Sequence, residues 1–202
     1  MKNDPEKSVF INCPYDAAYA PLFDAIVFVT VCCGFVPRSA VESGDVAEPR
    51  MDRIVRALFE SRYSIHDLSR NRGEGEEGFA RFNMALELGM AIARQYMTRG
   101  SEQPHEWMLL VPNGHHYHRF ISDLSGFDPL HYDGTVEILI QRVMNWLVRR
   151  PRSTTSLYPR LVLAALPRFQ QRRQELKAEW GEDVPWGHLV KAAKEMAPKI
   201  SG

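Results

Sequence analysis

The sequence predicts an α/β domain built on a doubly wound parallel sheet, and three observations predict it. Short apolar runs recur at Ser8-Val9-Phe10-Ile11, Phe35-Val36-Pro37-Arg38, Tyr63-Ser64-Ile65, Trp107-Met108-Leu109-Leu110-Val111 and Leu130-His131-Tyr132. Most are apolar without alternation, as strands covered on both faces are. A helical pattern follows every one, and five βα repeats argue right-handed crossovers with helices on both sheet faces. Pro37 marks the second run as an edge strand, while runs one, three and four read as buried. The expected order is therefore 2-1-3-4-5, a five-stranded flavodoxin-like layout whose switch point lies between strands one and three.

In chain order, strand one ends at Asn12-Cys13-Pro14-Tyr15-Asp16, because Pro14 favours a turn. Residues 17 to 33 read as a strongly apolar helix, LFDAIVFVTVCC, closed by Gly34; its β-branched content leaves a strand as the alternative. After the edge strand, a polar loop carries Arg38, Ser39, Glu42, Asp45 and Arg50. Pro49 then opens a helix with Met51, Ile54, Val55, Leu58 and Phe59 at helical spacing. Strand three stops at His66, Asp67 and Ser69, and a glycine-broken acidic loop (Gly73, Gly75, Gly78) leads into FNMALELGMAIA. Strand four ends at Pro112-Asn113-Gly114. His116 and His118 follow without the carboxylate or thiolate spacing of a metal site, so no metal is expected. Thr135 starts the last helix of the sheet domain.

Residues 1–150 thus form the α/β domain, and residues 151–202 a helical extension beyond the basic joint RRPRS. Pro167 and Pro185 are expected to break that extension into short helices. Its arginines, from Arg149 to Arg173, read as a solvated face, with a packing or homo-oligomerisation arm as the next choice. Lys plus Arg equals Asp plus Glu at 25 each among 202 residues, which speaks against a nucleic-acid footprint. Cys13, Cys32 and Cys33 make no CxxC pattern and fit buried thiols in a reducing compartment. No apolar run suits a signal peptide or membrane span. A cytoplasmic protein without membrane contact is expected.

One residue does not belong in the apolar helix after strand three: Glu87. A buried carboxylate is costly unless paired, hydrogen-bonded or protonated. Ligands of open α/β sheets bind outside the carboxyl ends of the strands, where Asp67 and this helix should meet. Glu87 and Asp67 are accordingly the candidate catalytic pair, facing each other across the switch point. Asn12, Tyr15, Asp16, Arg38, Ser69 and Asn83 are the candidate substrate contacts on the same rim. The alternative ties Glu87 to an arginine such as Arg81 or Arg38.

The segments VFINCPYD, GFVPRSA, SRYSIHDLS, RFNMALELGMAIA and ISDLSGFDPLHYDG resemble bacterial TIR-like proteins close to the nucleoside 2-deoxyribosyltransferase-like superfamily. The resemblance spans roughly residues 8 to 150 and is most specific in ALELGMA. It implies that Glu87 corresponds to the glutamate that attacks the sugar C1′ in the transferases and is essential in NAD-cleaving TIR enzymes. The aromatic and serine pattern that usually precedes the glutamate in the latter is replaced here by Arg81-Phe82-Asn83. Within that resemblance, Asp67 holds ribose hydroxyls and Arg38 meets a phosphate or orders Glu87, while Asn12, Tyr15 and Asn83 contact base or sugar.

Together these readings predict an enzyme that cleaves the N-glycosidic bond of NAD, a nucleotide or a nucleoside, by hydrolysis or transfer. Bacterial antiviral defence is the setting the resemblance suggests. No cofactor is expected, since the nucleotide enters as substrate. The alternative function is a non-catalytic nucleotide-sensing or TIR-type assembly domain.

Overall fold

A computed structural model describes residues 4–42, 47–69, 82–114, 117 and 121–198. The acidic loop after strand three, Asp45, Arg81, His116 and His118 lie outside the described residues. The sheet has five parallel strands: β1 (Ser8–Asn12), β2 (Val36–Ser39), β3 (Tyr63–Asp67), β4 (Glu106–Pro112) and β5 (Leu130–Tyr132), in the order β2-β1-β3-β4-β5. This is the flavodoxin-like layout the apolar runs predict. Strand β3 runs through His66 and Asp67, because both still pair with β4, His66 opposite Leu109 and Asp67 opposite Leu110. Pro37 sits on the edge strand, where its missing N–H costs no ladder bond on the open side.

Helices α1 (Ala20–Cys32) and α4 (Val136–Leu147) cover the sheet face that carries Val9, Ile11, Tyr63, Ile65 and Leu110. Helices α2 (Arg50–Phe59) and α3 (Asn83–Thr98) cover the face with Phe10, Leu109 and Val111. Thr135 caps α4 by accepting the Ile138 N–H.

Helix α1 is buried along its whole length from Phe23 to Cys32, and the C-terminal extension explains why a surface helix can be apolar all round. Helices α5 (Pro159–Trp180) and α6 (Trp186–Met196) lie over α1 and α4 as a further layer. Val162, Leu166, Phe169, Leu176, Leu189 and Val190 join the same core as α1, and Phe169 stacks on Phe28 with centroids 5.2 Å apart. Asp24 of α1, buried, pairs with Arg173 of α5, whose guanidinium also lies over the Phe23 ring.

The expected break at Pro167 does not occur: α5 continues through it to Trp180. Leu166 and Phe169, buried on either side of that proline, hold the helix axis against α1 and offset the lost hydrogen bond. Pro185 does separate α5 from α6. Nor is the basic joint simply solvated, since Arg150 pairs with Glu106 and Arg152 with Glu6.

Gly34 fixes the joint to the domain. Its φ is +87°, and a Cβ there would stand 2.2 Å from Thr154 Oγ1. Beside it, the Cys33 carbonyl accepts from the Thr154 N–H at 3.3 Å and from Ser153 Oγ at 3.3 Å. Gly34→Ala should therefore lower unfolding free energy by more than ~1 kcal/mol in urea titration, from left-handed backbone and collision together. Adding Thr154→Gly should recover the part due to the collision.

Candidate functional site

The rim at the carboxyl ends of β1 and β3 is organised by the amide of Asn12, the last residue of β1. Its Nδ2 donates to the Met84 carbonyl of α3 at 2.8 Å and to His66 Nδ1 at 2.9 Å. One donor thus anchors the first turn of α3, and the other fixes an imidazole tautomer. With Nδ1 accepting, His66 Nε2–H donates to Ser64 Oγ at 2.8 Å. Ser64 then donates to His105 Nε2 at 3.0 Å, and His105 Nδ1–H donates to the Ser61 carbonyl at 3.0 Å. Every member is buried, and the chain of bonds runs in one direction from the rim to the opposite end of the sheet. Burial holds His66 down to about 3 and His105 down to about 4, so both are neutral.

Glu87 lies one turn beyond Met84. It is 7% exposed, and among the described residues nothing donates a hydrogen bond to it. Burial pushes its carboxyl up to about 7, with the Arg50 guanidinium drawing it back. Arg50 is the first residue of α2, and among the described residues it, not Arg38, is the cation whose field reaches Glu87. Arg38 is committed elsewhere: Nε and Nη2 donate to Glu42 at 2.6 to 2.9 Å, and Nη2 reaches Glu60 at 3.3 Å. That corrects the expectation that Arg38 orders Glu87. Its Nη1 is buried with no acceptor among the described residues.

Asp67 reaches the same rim with its side chain turned to the other face of the sheet. Strand alternation sends His66 toward α3 and Asp67 toward α1 and α4. Its Oδ2 accepts from Tyr19 Oη at 2.8 Å and Tyr132 Oη at 2.7 Å, and its Oδ1 accepts from the Ser69 N–H at 2.7 Å. Desolvation raises its carboxyl despite these donors and raises both phenols. So Asp67 does not present free oxygens across a cleft from Glu87, as the sequence suggested. It ties the end of β3 to the residue before α1 and to β5.

Between the two carboxylates sits Cys13, a buried thiol pushed well up by burial and then by the charges of Asp67, Glu87 and Asp16. Tyr15 is exposed at the rim, and its hydroxyl bonds to the Ile11 carbonyl at 3.1 Å and to Ser39 Oγ at 2.9 Å. Asp16 accepts the Tyr19 N–H at 2.9 Å. Asn83 is exposed at the start of α3. Both amide hydrogens of Asn12 are spent on Met84 and His66, which makes its Nδ2 a positioning group. Asn12, Tyr15, Asp16, Ser69 and Glu87 do converge on one rim. Tyr19, Tyr132, Cys13 and Arg50 join them with no sequence signal beyond polar or aromatic character at element ends. No group of three or more His, Cys, Asp or Glu residues suited to a metal occurs among the described residues.

Two pH dependences follow. The unfolded chain ionises Glu87 above 4.5, whereas the folded protein keeps its proton to about 7, so this group costs stability as pH rises through that window. Glu87→Gln should therefore raise the unfolding free energy at pH 8, by an amount on the order of 3 kcal/mol or less, and leave it near wild type at pH 4.5. His66 and His105 act oppositely. The unfolded chain takes up their protons below 6.5 while the folded protein refuses them until about 3 and 4, so stability is lost as pH falls. His66→Gln should be less stable at pH 7, by roughly 1–3 kcal/mol for its lost bonds, yet show a shallower decline from pH 6.5 to 4 in urea titrations.

No family model, no curated protein and no solved structure matches this chain. The functional reading rests on the rim residues themselves.

Proposed function

We propose that the protein cleaves the N-glycosidic bond of a nucleotide or nucleoside, with Glu87 as the group that meets the sugar C1′. The observation that carries this reading is the state of Glu87: buried at the switch point, held in place through Met84 and Asn12, and bonded to no donor among the described residues. A structural carboxylate at such a place is expected to be paired, as Asp67 is.

The chemistry suits that environment. As the C1′–N bond breaks, its electron pair leaves with the base and positive charge grows on the ribose. A desolvated carboxylate interacts with that charge more strongly than a hydrated one does. It either stabilises the cation while water adds to C1′, or forms a glycosyl ester that water or a second nucleoside then opens. In hydrolysis water's oxygen goes to C1′, and its proton goes to the departing base of a neutral nucleoside, or to solvent where nicotinamide leaves already neutral. Since Glu87 acts ionised, cleavage should rise with pH through an apparent pKa near 7, shifted lower by a substrate whose base is cationic, as the nicotinamide ring of NAD is. Arg50, exposed at the start of α2, is the cation placed to meet a phosphate. In this reading Asp67 shapes the rim and holds no ribose hydroxyl.

A second reading, nucleotide sensing or assembly without turnover, is favoured by one observation: the two tyrosines and the Ser69 N–H take up the Asp67 oxygens. Chromatography of the protein incubated with NAD, ATP and a panel of ribo- and deoxyribonucleosides separates the two. Release of base or nicotinamide by wild type, falling at least about 100-fold in Glu87→Gln, is the expected outcome. Nucleotide-dependent thermal stabilisation without product, equal in both proteins, would replace the enzyme by the sensor.

A further inference from the structure

Helix α3 presents to solvent a face on which no charged side chain of the helix itself is fully exposed; Arg99, just beyond it, lies over the Tyr96 ring at 5.1 Å. Phe82, immediately before the helix, is 70% exposed, Leu86 52%, Tyr96 59% and Met97 75%, with Gly89 and Ala93 exposed between them. Asn83 is the only polar residue fully exposed on it, while Glu87 is buried and Arg94 half-buried. Aqueous helix faces usually carry charge, and contiguous apolar faces of this kind mark contact surfaces.

The spacing of the stripe says what kind of contact. Phe82, Leu86, Gly89, Ala93 and Tyr96 follow one another in steps of four, three, four and three, the seam of a helix that packs lengthwise on another helix. Glycine in mid-helix costs stability relative to alanine, and here the chain's own packing does not require it: a Cβ at Gly89 would meet nothing within 4 Å. Close approach by a helix from outside supplies the missing reason.

We infer that this face is the two-fold interface of a homodimer, with α3 crossing α3 of a second copy in antiparallel fashion at Gly89 and Met90. In that arrangement the exposed positions of the helix and Phe82 before it map onto one another in the second copy, Met90 included as the half-buried partner of Gly89. Phe82 meets Met97 of the other copy, Leu86 meets the small Ala93, and the backbones approach at Gly89, as an isologous contact demands. Exposed Met51, Val55 and Phe59 of the neighbouring α2 extend the apolar surface. The total is on the order of several hundred Å² per copy, the scale of a stable interface at roughly 800 Å² per partner. The tail helices, by contrast, bury Val162, Leu166, Phe169, Leu176, Leu189 and Val190 in the core with α1 and leave only the separated Leu161 and Trp180 exposed among their large apolar residues. The inference is independent of the chemistry at Glu87.

Sedimentation velocity of the full chain over a wide concentration range tests it. Wild type should sediment at twice 23.2 kDa. Leu86→Glu, which places a charge in the seam of both copies, should weaken association about 100-fold and leave the unfolding temperature of dilute protein unchanged. Should that variant fail to fold, a mixture of Leu86→Cys and Ala93→Cys proteins gives a second arm. Mild oxidation should link the two to each other and neither to itself, because only residues in register come within disulfide reach and Cys13, Cys32 and Cys33 are buried. A 23.2 kDa species at every concentration, a dimer indifferent to Leu86→Glu, or monomers that float with anionic vesicles would each overturn the inference.

Discussion

The amide of Asn12 is the constraint on which the rim depends. It closes β1, takes hold of the first turn of α3 through the Met84 carbonyl, and sets the proton on His66. Because an amide nitrogen has two hydrogens, both are consumed, and everything downstream acquires a fixed direction: His66 to Ser64, Ser64 to His105, His105 to the Ser61 carbonyl. Five polar groups are thereby buried across the sheet with no charge among them. A parallel sheet pays heavily for polar side chains in its interior, and this one keeps them only because each is satisfied.

Two carboxylates reach the same rim and are treated in opposite ways. Asp67 leaves the sheet toward α1 and α4, where two phenols and an N–H satisfy it. Glu87 descends from α3 on the other side and is given no donor among the described residues, only the distant field of Arg50. Burial raises both, but the first is a joint between elements and the second a carboxylate with no donor among the described residues. Burial above all, and then the charges of both, keeps the Cys13 thiol protonated.

The outer layer of helices decides how much of the chain is core. Helix α1 lies between the sheet and α5 with α6, so its strongly apolar sequence, unusual for a surface helix, has no water-facing side to serve from Phe23 to Cys32. The paired Asp24 and Arg173 fix the register of that layer, and the ring of Phe23 beneath the guanidinium keeps the pair from open water. The apolar face of α3 has no such cover within the described residues.

What the sequence by itself determined was what local pattern controls. Apolar runs placed the five strands, Pro37 placed the edge, and alternation with helices required the parallel 2-1-3-4-5 order found. The odd carboxylate in an apolar helix singled out Glu87 because its cost of burial can be read from neighbours in the chain. Tertiary structure alone decided who pairs with whom. The sequence offered Arg38 as a partner for Glu87, yet distances set by the β1–β2 register give Arg38 to Glu42 and Glu60. Asp67 and His66 are chain neighbours, but the pleat sends them to opposite faces and to partners 48 to 65 and 54 residues away. Pro167 looked like a helix breaker until packing on α1 outweighed its lost bond. Propensity and period act over a few residues, whereas hydrogen-bond partners and the balance of burial are chosen by the fold.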